Sequence, residues 1–88
     1  MRFDVWMSIE NSVRNYILEN YLFTDDQSEL TNDVSLLERG IIDSTGIMEL
    51  VLFIEEAFGI KIDDDEMVPE NLDSVDNIIS FIKGKNSN

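Results

Sequence analysis

A serine preceded by an acid is the pair of residues in this chain that points most directly to chemistry. Ser44 follows Asp43 and begins a stretch with the apolar spacing of a helix. A serine in this place is an ordinary N-cap, because its oxygen can accept a hydrogen bond from the first helical turn. That ordinary role is the commoner one, but the position would also tolerate a phosphodiester, since the unpaired N–H groups of a first turn favour a bound anion. These residues alone leave both interpretations open.

The residue types that are missing limit the other chemistry. The sequence contains no His and no Cys, so it lacks the usual general base at neutral pH, Cys/His nucleophile pairs and the preferred zinc ligands. The acidic run that starts at Asp63 is not a calcium loop, because Val68 and Ser74 stand where such a loop needs its glycine and its final glutamate. We expect no catalytic residue and no metal site.

The charge of the chain restricts its partners. A net charge of −13 on 88 residues repels nucleic acid and anionic lipid. Lys61 is the only base between residues 40 and 80, so this region is either a solvated acidic face or a docking surface for basic partners. No apolar run is long enough to span a bilayer, and the N-terminus does not resemble a secretory signal. We expect a cytoplasmic monomer.

Hydrophobic spacing predicts three main helices. The first covers about residues 4–21, the second about residues 44–58 with Ser44 as its N-cap, and the third about residues 74–84 with Ser74 as its cap. The apolar stripe of the first helix repeats every four residues: Val5, Ile9, Val13 and Ile17. These spacings predict an all-α bundle.

The connections between these helices complete a single domain over residues 1–88. The loop 22–43 carries apolar residues that should lie on the bundle, and Gly40 should end a turn within it. A short helical turn is expected at about residues 63–67, with Pro69 interrupting the chain afterwards. The predicted fold is therefore three main helices plus one short helix.

Several motifs follow one another between Leu37 and Ile82. They are Gly-x-x-Asp-Ser ending at Ser44, a Glu-Leu pair in the next helix, Phe-Gly-Ile-Lys-Ile ending at Ile62, an acidic turn, and Pro-Glu-Asn-Leu-x-Ser-Val ending at Val75. Together they resemble the acyl carrier protein family over about half of the chain. The first predicted helix is compatible with the remainder of that fold.

The resemblance implies a role for each matching residue. Ser44 matches the serine to which a phosphopantetheinyl transferase adds 4′-phosphopantetheine from coenzyme A. Asp43 matches the acid that helps the transferase-bound metal and substrate to meet, although an ordinary acid at the start of a helix explains it equally well. The matching partner-binding positions are Met48, Glu49, Leu52, Glu55 and Glu56. For the Met and the Leu, core packing is the alternative.

The function implied is that of a carrier without catalytic activity, because the arm supplies the thiol that the polypeptide lacks. It would deliver an acyl thioester in fatty-acid, polyketide or specialised acyl metabolism. Its partners would be the transferase, an acyl- or aminoacyl-activating ligase, and synthases or acyltransferases with basic docking surfaces. An aminoacyl or D-alanyl carrier served by a stand-alone adenylating ligase is the first alternative. An unmodified acidic adaptor is an alternative of another class.

Two departures from the family leave the cargo open. Thr45 and Gly46 follow the serine where fatty-acyl carriers commonly have Leu, and the stretch from Asp63 to Leu72 is longer than in those carriers. Gly46 is expected to weaken the first helical turn by about 1 kcal/mol relative to Ala. It would thereby loosen the entrance of any cavity that shelters the cargo, or suit a different partner.

Overall fold

The chain forms a small helical bundle. The computed structural model describes the backbone of residues 4–86 and the side chains of residues 9–85. Its α-helices are α1 Asp4–Ile17, α2 Ser44–Phe58, α3 Pro69–Leu72 and α4 Val75–Asn86. A π-helical turn Leu18–Leu22 and two 3₁₀ turns, Gln27–Glu29 and Asp64–Glu66, lie between them. No strand occurs within residues 4–86, and the predicted all-α class with three longer helices and a short one is confirmed.

The core is built from stripes on the three longer helices. Each stripe has the three- or four-residue spacing that places side chains on one helical face. The fully or almost fully buried members are Ile9, Val13, Ile17, Leu50, Val51, Ile54, Val75, Ile78 and Ile82. Val5, which the spacing assigns to the first stripe, lies outside the described side chains.

The long connection between α1 and α2 is part of this core. Leu30, Leu36 and Ile42 are each at most 2% exposed, and burying a side chain of this size contributes about 1.5–3 kcal/mol. Asp73 holds the middle of the connection, because its backbone carbonyl accepts from the Leu36 N–H at 2.7 Å and its carboxylate accepts from the Leu37 N–H at 3.0 Å. The connection is therefore an ordered crossing of the bundle.

Helix α1 ends earlier than the spacing predicts. Its regular part stops at Ile17 instead of about residue 21, and the chain continues in the wider π-helical turn. Ile17 and Leu18 are both buried, and the extra residue in the turn accommodates these consecutive apolar residues while directing Tyr21 towards α2. Phe23 ends the turn in the left-handed conformation, with φ 57°.

Pro69 begins a helix instead of interrupting one. It occupies the first position of the short helix α3, where the missing N–H removes no helical hydrogen bond. The preceding turn is the 3₁₀ segment Asp64–Glu66. Ser74 precedes α4, and its Oγ accepts the Asn77 N–H at 3.1 Å. Within residues 4–86 no helix is long and apolar enough to cross a membrane.

Candidate functional site

Asp43 caps helix α2. Its backbone is extended, and its Oδ1 accepts the Gly46 N–H at 2.8 Å. Its carbonyl accepts the Ile47 N–H at 3.0 Å, which is the first hydrogen bond of the helix. The prediction that Ser44 is the N-cap is therefore wrong. The carboxylate of Asp43 reaches the third residue of the helix, and Ser44 is left as its first residue.

Ser44 is exposed at the start of α2. Its hydroxyl has no hydrogen-bond partner among the residues that the structure describes. The backbone N–H groups of Ser44 and Thr45 also lack an acceptor within residues 4–86. These unpaired donors, together with the positive end of the helix dipole, provide an environment that favours an attached phosphate.

An apolar groove of about 260 Å³ begins beside Ser44. It lies where α2 faces the segment that leads into α3. Ser44 is at its edge, and the remaining lining residues are Leu37, Ile47, Met48, Met67, Val68, Pro69 and Leu72. No charged side chain lines it, so the groove suits a small apolar group.

The five predicted partner-binding residues occupy different surroundings on α2. Met48 is 55% exposed and Leu52 is 59% exposed, which places both on the solvent face one turn apart, in line with Ser44. Glu56 is exposed beside them. Core packing does not explain these two apolar side chains, because they are outside the buried core.

Glu49 and Glu55 have additional intramolecular roles. The Tyr21 hydroxyl donates to Glu49 Oε1 at 2.5 Å, and Glu49 remains exposed. Glu55 is half-buried, and its Oε2 accepts the Ile62 N–H at 2.9 Å. Glu55 thus holds the connector after α2, and the structure does not group it with the freely exposed acids of the helix.

The glycine of the first turn is required by packing. A Cβ on Gly46 would lie 2.7 Å from Ile42 Cγ2 and 3.2 Å from Tyr21 Cε1. Gly46 does not line the groove beside Ser44. It faces Ile42 and, in the π-helical turn, Tyr21 instead. Burial and the hydrogen bond to Glu49 raise the pKa of the Tyr21 hydroxyl above its ordinary value.

Sequence reasoning missed Tyr21 as a residue that supports the site. The signal was a glycine in the first turn of a helix that otherwise follows a regular pattern, since such a glycine often marks a close approach. The far wall of the groove, formed by Met67 and Val68, was also missed. They lie more than 20 residues after Ser44 in the sequence, and helical spacing does not predict contacts over that separation.

The acidic segment after α2 forms a capped turn. Glu66 accepts the Asp63 N–H and pairs with Lys85 at 2.8 Å, and the Lys85 hydrogen bond lowers the pKa of the Glu66 carboxyl. Among the described residues, no group of three or more His, Cys, Asp and Glu side chains is arranged to hold a metal ion.

The fold and site define a class of protein. A small helical bundle that presents an unbonded serine at the start of its second long helix is the arrangement expected of a carrier domain. No protein-family model matches the chain. A D-alanyl carrier protein of Streptococcus suis is 35% identical over 76 residues, which covers 86% of this chain and 92% of that protein.

Further relatives are named acyl carrier proteins. An acyl carrier protein of Campylobacter hominis is 32% identical over 82 residues, covering 93% of this chain and 99% of that protein. One from Desulforapulum autotrophicum is 34% identical over 79 residues, covering 90% and 99%. The chain belongs to the acyl carrier protein family. It is accordingly a carrier protein and not an enzyme.

Proposed function

We propose that Ser44 carries a 4′-phosphopantetheine arm on which an acyl group is held as a thioester. The observation that carries this proposal is the exposed Ser44 hydroxyl, which makes no hydrogen bond within the described residues. The carrier would deliver its acyl group to enzymes of fatty-acid, polyketide or specialised acyl metabolism in the cytoplasm. A monomer is the expected state, because the charge of −13 opposes self-association.

The residues at the start of α2 fit the phosphate of the arm. The free N–H groups of Ser44 and Thr45 can accommodate its charge. The Asp43 carboxylate is partly used by the cap, and only its Oδ1 is bonded to Gly46. Its second oxygen would remain for a metal ion on the transferase. When bound, the arm supplies a terminal thiol, which this Cys-free chain lacks.

Attachment requires one substitution at phosphorus. Ser44 Oγ attacks the phosphorus of coenzyme A that bears pantetheine, the pyrophosphate P–O bond breaks, and adenosine 3′,5′-bisphosphate leaves. The hydroxyl proton passes to a base on the phosphopantetheinyl transferase, because within the described residues no side chain is hydrogen-bonded to Ser44 Oγ to accept it. Ser44 contributes an accessible nucleophile, and the helix start stabilises the charge of the product.

The exposed face of α2 would dock the partner enzymes. Met48 and Leu52 provide apolar contact area, and Glu49 and Glu56 provide charge on the same exposed side. Basic surfaces on the transferase, the activating ligase and synthases or acyltransferases complement this pattern. Glu55 would act mainly by holding the Ile62 backbone, and its part in docking would be indirect.

The nature of the groove favours acyl cargo. Its lining is apolar apart from Ser44, so hydrocarbon placed there would be removed from water at a gain. A D-alanyl group carries an ammonium that would lose hydration in the same place. A D-alanyl or other aminoacyl cargo nevertheless remains the second candidate, because relatives with that name reach 35% identity over most of the chain.

The test of attachment uses intact mass. We expect the purified wild type, incubated with coenzyme A and a broad-specificity phosphopantetheinyl transferase, to gain the mass of one phosphopantetheine. Ser44→Ala should gain nothing, while Ser80→Ala, which removes an exposed serine from α4, should gain the full mass. The proposal would be overturned if the folded wild type gains no mass, or if Ser44→Ala gains the same mass as wild type. The function would then be that of an unmodified acidic adaptor.

The cargo is tested separately. Mass spectrometry of the protein isolated from its own host should detect an acyl thioester on the arm. A D-alanyl thioester in its place would show that the protein is a D-alanyl carrier, the second candidate.

A further inference from the structure

Phe23 is the most exposed large apolar side chain among the described residues. It is 82% exposed and ends the π-helical turn with φ 57° and ψ 43°, in the left-handed region. The Phe23 and Thr24 N–H groups both donate to the Leu18 carbonyl, the latter at 3.0 Å, so this conformation is held firmly. A bulky residue in the left-handed region is a backbone outlier, and Gly or Asn would relieve the strain.

Phe23 lies in an acidic surrounding. A shallow concavity is lined by Glu19, Phe23, Thr24 and Asp25, and we call these four residues the Phe23 patch. Residues 15–38 contain no Lys or Arg. The nearest earlier base, Arg14, has its guanidinium occupied by Gln27 at 3.0 Å and Asn32 at 2.6 Å. An exposed aromatic ring among uncompensated carboxylates is complementary to a guanidinium or ammonium group.

The Phe23 patch is linked to the start of α2 through Tyr21. Tyr21, two residues before Phe23, packs on Gly46, two residues after Ser44, and its hydroxyl oxygen is 3.5 Å from the Gly46 carbonyl oxygen. Two residues of chain span at most about 7 Å. An interface of standard size covers about 800 Å² on each partner, or a disc about 30 Å across. Because this chain of contacts spans less than the full width of such a disc, one enzyme surface centred between Ser44 and Phe23 can cover both residues.

We propose that the Phe23 patch is a second docking contact for the phosphopantetheinyl transferase that modifies Ser44, and that a basic side chain of the transferase stacks on the Phe23 ring. This rests on the proposed function. The transferase is the partner that must reach the Ser44 oxygen itself, so its surface must cover the surroundings of the α2 start. Enzymes that act on the distal thiol can stand off by the length of the arm.

Other occupants fit the charge less well. Anionic lipid is repelled by Glu19 and Asp25, and a second copy of a chain with net charge −13 would present like charge to like charge. The carboxylates explain why a basic protein surface is the complementary partner.

The first experiment compares aromatic and polar side chains at residue 23. The kcat/KM for modification by the transferase of the source organism is measured for wild type, Phe23→Asn and Phe23→Tyr. We expect the kcat/KM of Phe23→Asn to be about tenfold lower than that of wild type, as for the loss of an interface anchor. The kcat/KM of Phe23→Tyr should stay within about twofold of wild type. Phe23→Asn should melt at or above the wild-type temperature, because Asn tolerates the left-handed conformation.

The second experiment uses a matched charge pair. Asp25→Asn and Asp33→Asn each remove one exposed carboxylate, but only Asp25 belongs to the patch. At low salt, Asp25→Asn should lower kcat/KM about threefold more than Asp33→Asn, and the difference should shrink as salt is added. Should Phe23→Asn melt below wild type, this pair decides the inference.

The outcomes separate the two proposals. The docking role would be overturned if wild type is modified normally, Phe23→Asn has the same kcat/KM as wild type, and Asp25→Asn has the same kcat/KM as Asp33→Asn. The proposed attachment of the arm to Ser44 would then still stand. A wild type that neither this transferase nor a broad-specificity one modifies would overturn the proposed function itself. Phe23-dependent binding to phosphatidylcholine vesicles, or a dimer lost in Phe23→Asn, with unchanged kcat/KM, would assign the patch to lipid or to a second copy.

Discussion

Asp43 and Gly46, on either side of Ser44 in the sequence, are joined by a hydrogen bond that fixes the start of α2. The Asp43 carboxylate accepts the Gly46 N–H at 2.8 Å, and the missing side chain of Gly46 allows Tyr21 to approach. Neither interaction uses the Ser44 hydroxyl. The cap and the packing are therefore made by its neighbours, and the hydroxyl stays available.

Gly46→Ala should destabilise the fold even though Ala is the better helix former. The propensity gain is about 1 kcal/mol, whereas overpacking a buried position costs about 1–3 kcal/mol. The added Cβ would be 2.7 Å from Ile42 Cγ2, and Ile42 is 1% exposed, so that methyl group has little room to move. We expect a net loss of about 1 kcal/mol in urea denaturation.

Gly84→Ala is the matched control. Gly84 also lies in a helix, and its Cβ would meet no atom within 4 Å. Without a clash, this substitution should stabilise the fold by about 0.5 kcal/mol. Stabilisation by both substitutions would contradict the packing explanation for Gly46.

Substitutions of Asp43 can separate capping from modification. Asp43→Ala removes the bond to the Gly46 N–H and should cost about 1 kcal/mol of stability. Asp43→Asn keeps an oxygen in the same place and should remain close to wild type in stability. If the carboxylate assists the transferase, both variants should be modified more slowly at Ser44. A normal rate in Asp43→Asn would restrict Asp43 to its capping role.

Aromatic side chains join α1 and its π-helical turn to α2. Tyr16 stacks on Phe53 with ring centroids 4.2 Å apart, and Tyr21 meets Tyr16 edge to face at 5.9 Å. The Tyr21 hydroxyl then donates to Glu49. The wider π-helical turn is what presents Tyr21 to the first turn of α2, so this irregular segment positions the candidate site.

Tyr21 should make stability sensitive to alkaline pH. Burial and the bond to Glu49 raise its pKa in the folded state, so the unfolded chain, with a tyrosine pKa of about 10, loses the proton first. The stabilisation is complete below about pH 10 and is lost as pH rises above it. Tyr21→Phe should lose less stability than wild type between pH 9 and about pH 11 in urea titrations.

Tyr16→Phe provides the comparison, because it keeps the Tyr21 hydroxyl, its burial and its bond to Glu49, and removes only the smaller contribution of Tyr16 to the raised pKa of Tyr21. It should keep most of the alkaline loss. An identical pH dependence in wild type and Tyr21→Phe would exclude Tyr21 as the source.

Charge acts on the molecule as a whole. The chain has 19 acidic and 6 basic residues, so the folded state concentrates like charges that the unfolded chain can separate. Lys85 compensates Glu66 locally, but Asp63, Asp64 and Asp65 are exposed beside that pair. The acidity that suits basic partners thus opposes compaction.

Salt should therefore raise the melting temperature. Raising NaCl from about 10 mM to about 500 mM shortens the screening length from about 30 Å to a few Å, and we expect a gain of several degrees in thermal denaturation. The double substitution of Asp64 and Asp65 to Asn should reduce this gain. A melting temperature that stays constant or falls with salt would show that self-repulsion is unimportant.

Much of the architecture could be predicted because it depends on local pattern. The four-residue spacing of Ile9, Val13 and Ile17 indicates a helix, and Gly59, with φ 66°, ends α2 where the pattern stops. The order of motifs around Ser44 indicated the family. Ser44 as an exposed position at the start of a helix followed from the same pattern, although the identity of the cap did not.

By itself, then, the sequence determined the helical class, the approximate helices, the acidity and the serine that could be modified. Only the tertiary structure decided that Asp43 caps α2, that Tyr21 needs Gly46, and that Glu55 holds the Ile62 backbone. The physical reason is range. Helical periodicity is written into residues three or four apart, whereas the partner of a polar group and the room for a Cβ depend on segments brought together by the fold.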